Sequence, residues 1–205
     1  MENRAEERRL ETLSIFDLLS FCYQISSGME YLAGIKLVHR DLASRNVLVN
    51  KNKTIRIADF GLARRPLKGE TCYRTLTPGT ALPWQTAPEA AENGFTEKSD
   101  VYLFGVCLYE IFSLGNPPYQ DGKEDVNDLL QYIESNDETE FFLIDVYNLI
   151  LLCCNKDAEV RPTFSKCRSH FEECLREKAE PYLEKLEESL RQEEEKQRLL
   201  SQWIG

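Results

Sequence analysis

The stretch "SDVYLFGVCLYEIFSL", residues 99–114, constrains the fold more than any other. It is long enough for four helical turns and is apolar nearly all round, whereas a surface helix carries one apolar stripe. In water such a helix needs a shell of other elements, so the sequence predicts a central buried helix. The shell must come from the rest of the chain. From Ser14 onward, Ile15, Leu18, Leu19, Cys22, Ile25, Met29 and Leu32 recur at helical spacing. Ser14 and Asp17 make a capping box for that helix, and Gly34 marks its stop. Further helices are predicted at 123–135, 141–154 and 163–180. The β signal is small: "LVH", "VLVN" and "TIRIADF" read as short strands, the last two joined by the "NKNK" turn as a hairpin. The predicted fold class is mainly α with a short β-hairpin.

Composition narrows the function classes. A chain of 205 residues with 42% hydrophobic residues suits one domain with an appendage. A formal charge of −10 argues against a general binder of nucleic acid or anionic membrane surfaces. The start, "MENRAEERRLE", has no apolar core of a signal peptide. The longest apolar run, "FFLIDVYNLILLCC", is too short for a bilayer and carries Asp145 and Asn148, so no transmembrane segment is expected. Seven cysteines scattered through apolar runs predict reduced core thiols and an intracellular, cytoplasmic location. Residues 64–94 hold four prolines and three glycines without periodicity, a loop whose length points to function. Residues 181–203 are rich in Glu, Lys, Gln and Leu, with Pro181 allowed at a first helical position. A solvated helix packed on the body is favoured there over a helix dedicated to a partner.

The segment "VHRDLASRN", residues 38–46, packs two arginines, an aspartate and an asparagine between two apolar runs. "HRDLASRN" fits H-R-D-L-x-x-x-N, and "DFG" (59–61) follows with Asp59 eighteen positions after Asp41. "APE" (87–89), "SDVYLFGV" (99–106) and "RPTF" (161–164) come next. Their order and spacing resemble the large lobe of protein kinases over about residues 13–170. "LASRN" together with "GMEYL" (28–32) resembles receptor-type tyrosine kinases, nearest the fibroblast and vascular growth-factor receptor branch.

That resemblance implies a chemistry and its residues. Phosphoryl transfer needs a nucleophile held in line and cations beside the phosphate oxygens. By resemblance, Asp41 is the catalytic base, Arg45 steadies it, and Asn46 and Asp59 supply hard oxygen ligands to Mg²⁺. Leu48 lies under the adenine ring of ATP. Glu89 and Arg161 form a buried pair, a geometry that suits arginine's planar fork. Asp100 bonds the backbone of the catalytic loop, and His39 packs beneath it as a core histidine. Tyr73 is an activation-loop tyrosine, and Arg40 receives its phosphate. The implied cofactors are ATP and Mg²⁺; the implied partner is a protein substrate or another kinase.

The sequence also departs from the family. No two of the ten glycines make G-x-G, and the only lysine between residue 1 and His39 is Lys36, beside the loop. The small β-rich lobe that covers the nucleotide is therefore expected to be absent from these residues. Between "LP" (82–83) and "APE" stands "WQT" (84–86), one residue short of the family's peptide-docking shelf. Tyr102 and Leu103 replace the usual Trp-Ser, and Cys154 a usual tryptophan. The expected organisation is a charged lead at 1–12, a kinase large lobe at 13–170 and an acidic helical tail at 171–205. Two readings follow: a tyrosine kinase catalytic region that needs a small lobe to act, and a catalytically inactive, pseudokinase-like interaction module.

Overall fold

The computed structural model describes residues 13–66, 72–73, 86–90, 94–115, 119–120, 123–124 and 140–204. Helix α1 spans Ile15–Gly34. Its capping box is reciprocal: Asp17 N donates to Ser14 Oγ at 3.2 Å, and Ser14 N donates to Asp17 Oδ2 at 2.7 Å. Gly34 is the last helical residue rather than the stop. The left-handed position falls on Lys36 (φ 58°), with Lys36 N bonded to Ala33 O and Leu37 N to Leu32 O. That pair of bonds is the Schellman ending, here built on a lysine.

Strands β1 (Val47–Val49) and β2 (Ile55–Ile57) form an antiparallel hairpin in the register Val47↔Ile57. Asn50 and Lys53 (φ 60°) make its turn, where Asn50 Oδ1 accepts from Asn52 N and Thr54 N. "LVH" is not a strand; Val38 instead makes an isolated bridge with Arg64, N to O at 2.9 Å in both directions.

Helix α2 spans Glu97–Phe112, beginning two residues earlier than its apolar pattern because Thr96 caps it. Thr96 Oγ1 accepts from Lys98 N and Ser99 N, and Ser99 Oγ accepts from Thr96 N. Every residue from Ser99 to Tyr109 is buried. Strands β3 (Tyr119–Gln120) and β4 (Lys123–Glu124) pair antiparallel, so the helix predicted from 123 does not begin there. The rest of that prediction, residues 125–135, lies outside the described residues, as do 1–12 and most of the 64–94 loop.

Helix α3 covers Glu140–Cys153 and packs on α2. A Cβ built on Gly105 would stand 2.6 Å from Cys154 Sγ and 2.8 Å from Cys153 Cβ, so the two helices approach closely only because residue 105 has no side chain. Helix α4 runs Phe164–Ile204 and is broken at Ala179 (φ −148°, ψ 41°). Pro181, two residues on, sits in the first turn of the second piece, where a missing N–H costs no helical bond. That piece lies along α1, with Leu183 and Leu186 buried in the core. The fold is mainly α-helical around α2, as a kinase-like large lobe is.

Five of the seven cysteines are buried and all seven are free thiols. Burial pushes Cys154 up to about 12 and Cys174 up to about 11, so both are held as neutral thiols. No helix among the described residues is long and apolar enough to cross a membrane.

Candidate active site

The loop 38–46 is held from below by α2. Asp100, almost inaccessible to water, accepts from His39 N at 2.7 Å and from Arg40 N at 2.8 Å, one amide per carboxylate oxygen. Burial pushes its carboxyl up to about 7, against the pull of those two amides. Ten residues along the same helix, Glu110 accepts from Ser44 N at 2.7 Å. One helix thus fixes both ends of the loop. Glu110 was missed in the sequence, although it is the only charged residue in the apolar run from Val101 to Phe112.

His39 is fully buried beneath the loop. Its Nε2 donates to Ala58 O at 3.2 Å and its Nδ1 accepts from Asp41 N at 3.3 Å. With both nitrogens used and burial lowering its pKa, the ring stays neutral and structural. It also lies edge-on to Phe60, ring centroids 4.9 Å apart, and feels the charges of both Asp41 and Asp59. The two aspartates therefore flank one histidine rather than lying on opposite faces.

Asp41 accepts from Arg45 through one carboxylate oxygen and from Asn46 Nδ2 through the other, the latter at 3.0 Å. Asn46 Nδ2 also donates to Asp41 O at 2.7 Å, and Ala58 N donates to Asn46 O at 2.8 Å. The hairpin register sets Asn46 opposite Ala58, next to Asp59. Asp59 has φ 60°, an unusual conformation for a non-glycine residue; its side chain turns back to accept from Gly61 N at 3.3 Å. Leu48, on β1, is 58% exposed, and Val49, Phe60 and Leu62 are exposed as well.

The remaining residues singled out in the sequence lie around this centre. Arg161, with its guanidinium fully buried, donates through Nη1 and Nη2 to the two oxygens of Glu89, both at 2.7 Å. It donates as well to Asn155 O and Lys98 O. Arg40 stacks its guanidinium between the rings of Tyr73 and Phe95, at 4.8 and 4.3 Å. Tyr73 and Phe95 are themselves paired through their backbones. Arg40 Nη1 donates to Leu62 O, while Nε is buried with no hydrogen-bond partner among the described residues. Of the shortened "WQT" segment, Trp84 and Gln85 lie outside the described residues.

The described residues contain no cluster of three His, Cys, Asp or Glu side chains able to hold a metal ion. What they offer a divalent cation is two oxygen donors, Asn46 Oδ1 and the Asp59 carboxylate. Such a sparse hard-oxygen set fits Mg²⁺, which keeps several waters and binds through one or two protein groups plus phosphates.

Comparison with known proteins identifies the family. A sequence model described as protein tyrosine and serine/threonine kinase matches residues 4–171. The chain belongs to the protein tyrosine kinase family. The receptor-like tyrosine-protein kinase kin-15 of Caenorhabditis elegans is 46% identical over 210 residues, 99% of this chain and 42% of that protein. The tyrosine-protein kinase receptor old-1 of the same organism is 44% identical, over 97% of this chain and 42% of its own length. Vascular endothelial growth factor receptor 3 of Coturnix coturnix is 37% identical over 75% of the chain. The chain spans about two fifths of the length of the first two relatives.

Proposed function

We propose that these residues form the lower half of a phosphoryl-transfer site, which moves the γ-phosphate of ATP to a protein tyrosine once a nucleotide-covering lobe completes it. The observation that carries this reading is how Asn46 divides its amide. Its N–H groups are spent on Asp41, which leaves Oδ1 for a cation and fixes the base beside the metal ligands. Asp41 accepts the proton of the tyrosine hydroxyl, and Arg45 holds the carboxylate in place and balances its charge. Asn46 and Asp59 hold Mg²⁺, which neutralises charge on the phosphate oxygens. Leu48 offers an apolar floor to the adenine ring. Arg40 keeps an unused N–H beside the Tyr73 ring, which supports the reading of Tyr73 as a regulatory tyrosine whose phosphate Arg40 receives.

A second reading, an inactive interaction module, is favoured by the exposed apolar side chains Leu48, Val49, Phe60 and Leu62, which a partner protein could cover as well as a small lobe. Fusing the nucleotide-covering lobe of a related receptor tyrosine kinase to this chain separates the two. Transfer to a tyrosine peptide, abolished by Asp41→Asn, is the expected result. A fusion that binds Mg-ATP yet transfers nothing would favour the module.

A further inference from the structure

The second piece of α4 is anchored to the body through a tyrosine. Tyr182 donates its hydroxyl to Asp17 Oδ1, and its ring lies against Phe16 with centroids 6.4 Å apart. Asp17 is almost wholly buried and also binds Ser14 N, Ser14 Oγ and Lys53 Nζ. Lys53 is the only cation paired with Asp17 among the described residues. Burial and the neighbouring carboxylate hold the Tyr182 phenol firmly protonated. Beyond Tyr182 the anchors are Leu183 and Leu186, both buried, Leu190, partly buried against the same core, and an exposed ion pair between Arg56 and Glu193 at 2.7 Å. The break at Ala179 separates this piece from residues 164–178.

We propose that Tyr182 is a phosphoacceptor site, and that its modification releases the helix from Glu180 onward as a strap. In the transfer, Tyr182 Oη bonds to the γ-phosphorus of ATP, ADP leaves with the bridging oxygen, and the phenolic proton passes to the acting kinase's base. The product cannot return to its seat. A phosphate at Oη carries nearly two negative charges and would stand within hydrogen-bonding reach of the Asp17 carboxylate, with only Lys53 to offset three charges. The neutral phenol fits this site because it donates; its phosphate can only accept. The proposal does not require catalysis by this chain, since a tyrosine kinase acting in trans supplies the step.

The experiment uses an active receptor-class tyrosine kinase domain with Mg-ATP, after showing that it phosphorylates a free peptide of residues 177–188. The full chain, Leu186→Ala and Tyr182→Phe are then compared, with site occupancy read by mass spectrometry and opening by amide exchange. Modification of Tyr182 is expected to be slow in the full chain, at least tenfold faster in Leu186→Ala, and absent in Tyr182→Phe. After modification, amides of 181–196 should exchange at least tenfold faster, with 165–178 unchanged. The proposal is overturned if the peptide is refused, if neither folded form is modified, or if modification leaves exchange in 181–196 unaltered.

Discussion

At the scale of single residues, Arg161 shows how a charge is tolerated inside this core. Four of its five N–H groups are taken up by one bidentate carboxylate and two carbonyls, and its face lies over the Tyr102 ring. Glu89→Ala removes the counter-charge and leaves the cation buried, which should cost about 3 kcal/mol or more. Chemical denaturation of the variant against the parent checks this; an unchanged midpoint would mean the pair contributes nothing net. This contact could be read from the sequence because "APE" and "RPTF" occur at familiar spacing. Glu110 could not be, since one glutamate on a buried helix could point anywhere. The conformation of Asp59 was equally hidden, because a left-handed aspartate has no residue signature of its own.

At the scale of elements, Asp17 ties together three segments distant in sequence: the start of α1, the hairpin turn through Lys53 and the second piece of α4 through Tyr182. Burial raises its pKa, but Lys53, Ser14 and Tyr182 outweigh that and hold it below the usual carboxylate range. A carboxyl whose folded pKa is lowered contributes stability that is present above about pH 4 and is lost as pH falls below it. The stability gap between the parent and Asp17→Asn should therefore be constant near neutrality and shrink as pH falls from about 4 toward 2. Urea melts across that range measure it, and a gap independent of pH would refute the assignment.

Gly105 makes the same point for helix pairs. Gly105→Ala improves helix propensity by about 1 kcal/mol, but its new methyl meets Cys153 Cβ, which is fixed to the backbone. Overpacking of about 1–3 kcal/mol should win, so thermal melting should fall by a few degrees. The elements legible in advance were those with strong local pattern: α1, α2, α3 and the hairpin. The boundaries that moved were set by side chains outside the pattern, Thr96 at the start of α2 and Lys36 after α1. The join of Tyr182 to Asp17 has no local signal, because 165 positions separate the two residues.

At the scale of the whole molecule, the site proposed above offers ATP only a floor. Charged contacts to phosphates open to water act at high dielectric and lose most of their strength. One leucine face and two oxygen donors offset little of the cost of immobilising the nucleotide. Calorimetric titration of this chain alone with Mg-ATP should give a Kd weaker than about 1 mM, less than about 4 kcal/mol. A micromolar value lost on Asp59→Asn would show that the site is closed by residues of this chain.

The grip of α2 on both ends of the loop 38–46 has a kinetic corollary. The amide hydrogens of His39, Arg40 and Ser44 end on Asp100 and Glu110, carboxylates carried by the most deeply buried helix. The two bonds to the buried Asp100 cannot be freed by fraying at the surface, so His39 and Arg40 should exchange with solvent only when the molecule opens as a whole. In deuterium uptake, the start of that polar surface loop would then share its clock with Phe104 and Leu108. Its shape would persist, undimmed by heating, until the core itself gives way.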